Sequence, residues 1–436
     1  MAIAERQPKR ILLECTRTCQ SSLNTGIERV VRRLVELSAD LGRTKGIECL
    51  PVVYQPSRGF VPIDWQHGDN EPRNLPIDRG DRIKKLLERT GLIDLARRFK
   101  YGALSQWWAL QSKYLRSQAG ALEIGSGDLL LLLDSSWQIP YWQDAARAKE
   151  NGAQIAAVIY DLLPLQDPAS FTPHQCRLFH AWWERVYRHA DFFLAISESI
   201  FQDVRQFDLA NAKRRAEVRG GSFRLGVDFL NSAANGFVRD DVVRVFKDSE
   251  ASSTANCYLS VGTLSPRKNQ AWMLDVFDRL WKTQSDVSIC FAGHRGWHSA
   301  GLIERFHQHP LWGKKLFWRD DLSDAELNWC YRNARGLITA SRGEGFNLPI
   351  VEALHRSCPV FASGIPVHRE VGGRFARYFP LDDKRALLQM LSNDSPRDAA
   401  LRPLSDFRWP TWRESCEELL ALIQSLAQPT SHRQSA

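Results

Sequence analysis

The feature that most constrains this chain is an alternation of short, almost wholly apolar runs with amphipathic helical patterns, run through once and then begun again. In the first half, Lys9 to Glu14, Ile47 to Tyr54, Asp128 to Leu133, Gln154 to Tyr160 and Phe192 to Ile196 read as strands. Between them, Ile27 to Leu41, Trp142 to Asn151, Pro173 to His189 and a stretch capped by Ser197 and running to about Asp208 read as helices. A strand covered on both faces loses the apolar–polar alternation of a half-exposed one. Runs such as Leu129 to Leu133 therefore imply a parallel sheet with helices on each side. From Tyr258 the pattern restarts. Strands are predicted at 258–261, 287–292, 315–318, 336–340, 359–362 and 376–379, with helices at 269–282, 300–307, 323–333, from Leu348, near 366–371 and at 383–393. The predicted fold class is α/β, with two doubly wound Rossmann-like domains facing each other across a cleft, where ligands meet the carboxyl ends of strands.

A chain of 436 residues with 44% apolar content is long enough for two such domains. The expected division is an N-terminal domain at 1–217 and a C-terminal domain at 218–408. A last helix at 409–427 is expected to pack back toward the N-terminal domain, and 428–436 to be a disordered tail. Pro56 to Asp81, rich in Pro, Gly, Asp and Arg, reads as an extended surface loop, and Ser222 to Ala255 as the connection into the second domain. Residues 82–118 form a basic amphipathic insertion, in which Arg82, Lys84, Lys85, Arg89, Arg97, Arg98, Lys100, Lys113 and Arg116 flank Trp107, Trp108 and several leucines. Two readings stand for it: a helix pair packed on its own domain, or a segment that sits on an anionic membrane surface. Nucleic acid is disfavoured because no known binding module accompanies the charge. The formal charge of +8 fits an anionic partner of some kind.

No apolar run reaches the roughly 20 residues of a membrane span, and the first residues lack the apolar stretch of a secretory signal. A cytoplasmic location is expected, with peripheral attachment to the inner face of the membrane if the insertion binds lipid. Nine cysteines without a Cys-x-x-Cys pair read as reduced and structural.

The chemistry is expected where the strand at 336–340 meets its helix, because Glu344 and Glu352 stand eight positions apart there. Between them, Gly345, Phe346, Asn347 and Leu348 form the turn and helix start. A helix N-terminus at the carboxyl end of a strand presents N–H groups and partial positive charge, which favours phosphate. A paired-carboxylate hydrolase is disfavoured, since one glutamate precedes the helix and the other lies a turn inside it. Each suits hydrogen bonds from hydroxyl groups of a sugar or ribose. Arg267 and Lys268, in the loop from Val261 that includes Thr263, would neutralise phosphates if their strand neighbours that of Ala340. In the first half, Gly26 lies in a loop before a helix, and Asp161 ends a strand, where it would orient an acceptor hydroxyl or simply cap its loop. No Asp-x-Asp pair occurs in the sequence, so the usual metal clamp on a sugar diphosphate is missing.

These residues carry a resemblance. Glu344-Gly-Phe-Asn-Leu-Pro-Ile-Val-Glu352 resembles the E-x7-E signature of the family 4 retaining glycosyltransferases of GT-B fold, and Val261-Gly-Thr-Leu-Ser-Pro-Arg-Lys-Asn269 resembles their diphosphate-binding loop. Ala292-Gly-His-Arg-Gly-Trp297, Leu322-Ser-Asp-Ala-Glu-Leu327, Ile365-Pro-Val-His-Arg-Glu-Val-Gly372 and Trp409 to Glu414 match in the same order. Asn24 to Arg29 and Asp161 to Leu165 match more loosely, in the manner of bacterial mannosyltransferases of O-antigen or capsular polysaccharide. The resemblance implies a nucleotide-sugar donor, GDP-, UDP- or ADP-linked, and no cofactor. It implies Arg267 and Lys268 on the diphosphate, Glu352 on the ribose, Glu344 on the donor sugar and amides near Phe346 to Leu348 on phosphate, with Glu344 and Asp161 as catalytic contacts. The first domain would hold a saccharide or lipid-linked acceptor. Thr263 stands where many members have Arg, Asn347 where Gly is common, and Tyr160 where His often precedes the Asp. The implied reaction is transfer of a hexose, such as mannose from GDP-mannose, with retention and without metal. The alternatives are a non-catalytic binding protein on the same scaffold, or a sugar-nucleotide hydrolase or epimerase.

Overall fold

The computed structural model describes residues 7–21, 26–65, 122–210, 218–227, 236–246, 256–283, 285–393 and 406–427. The basic insertion at 82–118 and the tail at 428–436 lie outside the described residues, as do Asn24 and Thr25. The chain divides into two units. One holds the residues up to Val158, with Ala181–Leu194 and the chain from Leu419; the other holds Ile159–His180 and Ala195–Glu418.

The first unit is built on strands β1 (Arg10–Glu14), β2 (Glu48–Gln55), β3 (Gly59–Pro62), β4 (Asp128–Leu132), β5 (Gln154–Ile159) and β6 (Phe192–Ala195), in the order β3-β2-β1-β4-β5-β6. Pairing is parallel from β2 to β5, with Arg10 opposite both Glu48 and Asp128. The Arg10 guanidinium also binds Asp128 (Nε to Oδ1, 2.8 Å), fixing that register with a charge pair. Ile11, Leu12 and Leu129 to Leu132 are all buried, as strands covered on both faces must be. Helix α1 (Ile27–Thr44) buries Val30, Val31, Leu34, Val35 and Leu41, the three- and four-residue spacing of one helix face. Each such side chain contributes about 1.5–3 kcal/mol when fully buried. Helices α2 (Trp142–Glu150) and α3 (Pro173–His189) follow in the chain.

One expectation is corrected here. Residues 59–62, read as part of a surface loop, form β3, antiparallel to β2 with Val53 opposite Val61. The cause is local: Phe60 packs edge-on against Tyr54 (5.3 Å between centroids), and that apolar contact turns a Pro- and Gly-containing segment into a hairpin.

In the second unit, helix α4 (Glu198–Ala210) and the short strand β7 (Gly220–Ser222) are followed by α5 (Asp240–Phe246). This helix lies in the stretch read as connection, and Val242, Val245 and Phe246 are buried. It escaped notice because its apolar face is only three residues long. Strands β8 (Cys257–Val261), β9 (Ser288–Ala292), β10 (Leu316–Arg319), β11 (Gly336–Thr339), β12 (Val360–Ser363) and β13 (Ala376–Phe379) form a sheet in the order β10-β9-β8-β11-β12-β13. The pairs described are parallel. Helices α6 (Gln270–Lys282), α7 (Ala300–Gln308), α8 (Asp324–Asn333), α9 (Leu348–His355), α10 (Pro366–Gly372) and α11 (Lys384–Ser392) alternate with the strands, and α12 (Trp412–Ala427) closes the described chain. The core joins Tyr258, Phe277, Phe291, Phe306, Ile338, Phe361 and Phe379. Helix α8 opens with a reciprocal cap between Ser323 and Glu326. No helix among the described residues is long and apolar enough to cross a membrane.

Candidate active site

In the second unit, successive strands depart in opposite directions from β8: β9 and β10 to one side, β11 to β13 to the other. The loops leaving the carboxyl ends of β8 and β11 therefore diverge at the sheet's switch point, where open α/β sheets bind ligands. They are also neighbours, as the sequence argument required, since β11 pairs with β8. Arg342 N donates to the Arg267 carbonyl (2.9 Å), and Arg267 Nη1 donates to Gly343 O (2.7 Å), so the two loops are stitched together.

Between them lies a buried ionic triad. Glu344 takes Arg267 Nη1 on Oε2 at 2.5 Å and Lys268 Nζ on Oε1 at 2.6 Å. Burial alone would raise the Glu344 pKa, but the two cations, helped by the Ser341 hydroxyl, hold it well below the ordinary carboxylate range. The same burial pushes the Lys268 ammonium down, only partly offset by Glu344, while in Arg267 the nearby carboxylates outweigh burial. Within the triad two cations face one carboxylate, while Asp161 and Asp167 also act on Arg267 from farther away.

The turn that follows is tightly held. Gly345 is obligatory, because a Cβ there would meet the Tyr160 carbonyl at 1.9 Å, and its own carbonyl accepts from Ser197 Oγ (2.9 Å). Phe346 is buried edge-on against Trp409 (5.8 Å), and Trp409 Nε1 donates to Leu225 O (2.7 Å). Asn347 has left-handed backbone (φ 75°) and caps α9, whose first residue is Leu348. Glu352 is buried on α9, not an exposed helix carboxylate, and takes a hydrogen bond from the Tyr331 hydroxyl (2.8 Å). Thr263 lies in the β8 loop, its carbonyl accepting from Gln270 (3.1 Å). Asp161 also belongs to the second unit. Its Oδ1 accepts from Leu163 N (3.1 Å), so it caps its own turn; burial raises its pKa against the opposing charge of Arg267. The second unit thus gathers Arg267, Lys268 and Glu344, with Asp161 within electrostatic reach.

Sequence reasoning missed Tyr331, Ser341 and His368. Their signal was a helix or strand-end polar residue inside an apolar context, which resembles any core position. It also missed a second buried charged cluster. In the first unit the strand order reverses between β1 and β4, and Glu14 and Asp134 stand at the ends of those strands, both fully buried. Glu14 Oε1 accepts from Thr16 N (2.9 Å) and Ser136 Oγ (3.0 Å), while Oε2 has no partner among the described residues. Asp134 accepts from Thr18 N (2.5 Å) and Ser135 N (2.7 Å). Burial, then the charge of Asp134, pushes Glu14 up to about 7, and burial pushes Asp134 up to about 6. Gly26 is in this unit as well, exposed, with φ 53° at the start of α1.

Residues 243–379 match the family model described as glycosyl transferases group 1. The chain carries a group 1 glycosyl transferase domain. Residues 243–379 contain the triad, the turn at 345–347 and α9. The serotype-specific mannosyltransferase WbdA of Escherichia coli is 32% identical over 295 residues, covering 65% of this chain and 35% of that protein. The O-antigen chain mannosyltransferase B of E. coli is 32% identical over 167 residues, covering 36% of this chain and 42% of that one. The chain thus spans about a third of the length of WbdA. Among solved structures, Anabaena HepE in complex with UDP and glucose has a TM-score of 0.53 at 13% identity, covering 96% of this chain and 94% of its own. That likeness is one of fold, the GT-B class of two parallel-sheet α/β domains.

Proposed function

We propose that this protein is a glycosyltransferase of surface-polysaccharide synthesis that moves a hexose, mannose in the first instance, from a nucleotide sugar to a saccharide or lipid-linked saccharide acceptor. The observation that carries the proposal is the triad. A group 1 domain holds two cations and one carboxylate at the switch point, directly before the N-terminus of α9. The similarity to O-antigen mannosyltransferases supports the choice of sugar and process.

In this reading, Arg267, Lys268 and the N-terminal turn of α9 receive the diphosphate. The two cations and the helix dipole oppose the negative charge that develops on the leaving group. Glu344 orients both cations and offers its remaining lone pairs to hydroxyl groups of the donor sugar. Glu352, its orientation set by Tyr331, accepts from ribose hydroxyls. Because protein cations neutralise the diphosphate, no divalent metal is required. Transfer with retention, in which the departing phosphate helps to take the acceptor proton, needs positioning and charge stabilisation more than a strong base. This agrees with an Asp161 already engaged by Leu163 N. The protein acts at the cytoplasmic face of the membrane, to which the basic segment 82–118 would attach it unless that segment packs on its own domain.

The test is release of nucleoside diphosphate from GDP-mannose, UDP-glucose and ADP-glucose, each with and without lipid-linked or oligosaccharide acceptors. Acceptor-dependent release that is lost in Glu344→Ala supports the proposal. Release without acceptor turns the assignment to hydrolysis, and no release with any pair, together with nucleotide binding, turns it to a binding protein. Deletion of 82–118 is expected to reduce co-sedimentation with anionic vesicles.

A further inference from the structure

His368 belongs to none of the roles above, yet it is fully buried beside the turn at 345–347. Its Nδ1 lies 2.9 Å from Ser363 O, which can only accept, so Nδ1 carries the proton and Nε2 is bare. Nε2 faces Asn347 Nδ2 at 2.8 Å, and the other Nδ2 hydrogen goes to Thr339 Oγ1 at 2.9 Å. The orientation of the Asn347 amide is thereby determined, and its Oδ1 is left buried without a partner among the described residues. The contacts continue in both directions. Thr339 Oγ1 is 3.4 Å from Ser341 Oγ, the hydroxyl that favours the ionised Glu344. Ser363 Oγ donates to Ser341 O at 2.6 Å. A continuous buried network runs from α10 across the end of β12 to the Glu344 turn.

We infer that His368 is a positioning residue: its bare Nε2 holds the Asn347 amide, and the held amide keeps the Asn347 backbone left-handed, which aims the α9 N-terminus and Glu344. The chemistry explains the residue choice. A left-handed backbone costs any residue with a Cβ, Asn least among them, and glycine nothing. Glycine at 347 would need no clamp. Asparagine tolerates the conformation only partly, and two fixed partners for its amide supply the remainder. Neutral imidazole is suited to this, since it donates to one backbone carbonyl and accepts from one amide on opposite edges of the ring. What concerns nucleotide binding rests on the glycosyltransferase reading; what concerns the turn does not.

The inference is tested by a cycle of His368→Ala, His368→Gln, Asn347→Leu, Asn347→Gly and the His368→Ala, Asn347→Gly double variant. Amide hydrogen exchange over residues 344–350 needs no ligand. His368→Ala and Asn347→Leu are each expected to speed exchange there about tenfold, a coupling typical of groups in one network. His368→Gln, which keeps an acceptor, is expected to restore most of the protection. In the Asn347→Gly background His368→Ala is expected to change nothing further. Dissociation constants for GDP and UDP, measured on the same set, are expected to follow the exchange pattern. Equal loss from His368→Ala in both backgrounds would overturn the inference, as would unchanged exchange in Asn347→Leu. If His368→Ala does not fold, Asn347→Leu and His368→Gln still decide. If wild type binds neither nucleotide, the functional reading falls while the exchange result stands.

Discussion

Each unit of this protein has a switch point, between β1 and β4 in the first and between β8 and β11 in the second, and the two are charged in opposite senses. In the second unit, Glu344 is buried between Arg267 and Lys268. In the first, Glu14 and Asp134 are buried with no cation bridging them among the described residues, and burial raises the pKa of each. The same topology therefore supports two different electrostatic solutions. A carboxylate between two cations gives a site suited to an anionic ligand. A pair of carboxylates anchors backbone instead, since Thr16, Thr18 and Ser135 N–H groups all end on them. Position in a fold marks where ligands are received, and the side chains there decide whether one is held.

The largest way to break the comparison is to remove one charge from the triad. Arg267→Ala or Glu344→Ala leaves a buried charge short of its partner, which should cost roughly 3–5 kcal/mol of stability in urea unfolding. Donor turnover in the same variants should fall at least about a hundredfold, as when one preorganised charge-stabilising group is lost. An Arg267→Ala protein that keeps both stability and turnover would remove the triad from the site.

The next effect is one of sign with pH. Glu14, raised to about 7, is protonated in the folded state while its unfolded counterpart is ionised from about 4.5 upward. Its contribution to stability is full below 4.5 and is lost as pH rises to 7, at most about 1.4 kcal/mol per pH unit. Glu344 is depressed, so its contribution is present above the unfolded value of 4.5 and is lost as pH falls below it. Unfolding curves of Glu14→Gln against wild type should therefore converge at low pH and separate in favour of the variant as pH rises. Glu344→Gln should show the opposite slope, confined to acid pH. Parallel curves for Glu14→Gln would show that the first-unit pair is ordinary.

The smallest effect separates the two loops themselves. Gly26 has φ 53° and open space around a built Cβ, so Gly26→Ala should cost only about 1 kcal/mol, from backbone strain alone. Gly345→Ala meets a carbonyl and should cost more, on the order of 1–3 kcal/mol of overpacking with loss of donor binding. Comparable melting-temperature shifts for the two would contradict the difference in crowding.

The sequence was most informative where burial on two faces leaves a mark. The six strands β8 to β13 fall within a residue or two of their predicted spans, because a continuous apolar run bounded by helical periodicity has few other readings. Arg267, Lys268 and Glu344 were legible as well, since cations and a carboxylate in two strand-end loops need only strand adjacency to meet. What stayed hidden depended on partners distant in the chain. The hairpin at 59–62 is made by Phe60 packing edge-on against Tyr54, and Glu14 looks like the polar end of a strand until Asp134 is brought beside it. His368 lay within a matched motif, but its role required knowing that Asn347 turns inward rather than toward solvent.

The aromatic contact of Phe346 carries a practical consequence. Phe346 meets Trp409 edge-on, Trp409 stacks on Phe407 at 6.1 Å and ties to Leu225 O, and Val227 N donates to Pro410 O at 2.9 Å. Residues 406–411 lie just before α12, a tempting place for a truncation or a fusion joint. They are the outer wall of the turn that carries Gly345, Phe346 and Asn347. A version of the protein cut before Phe407 would keep every charged residue discussed above and still expose the ring that seats them.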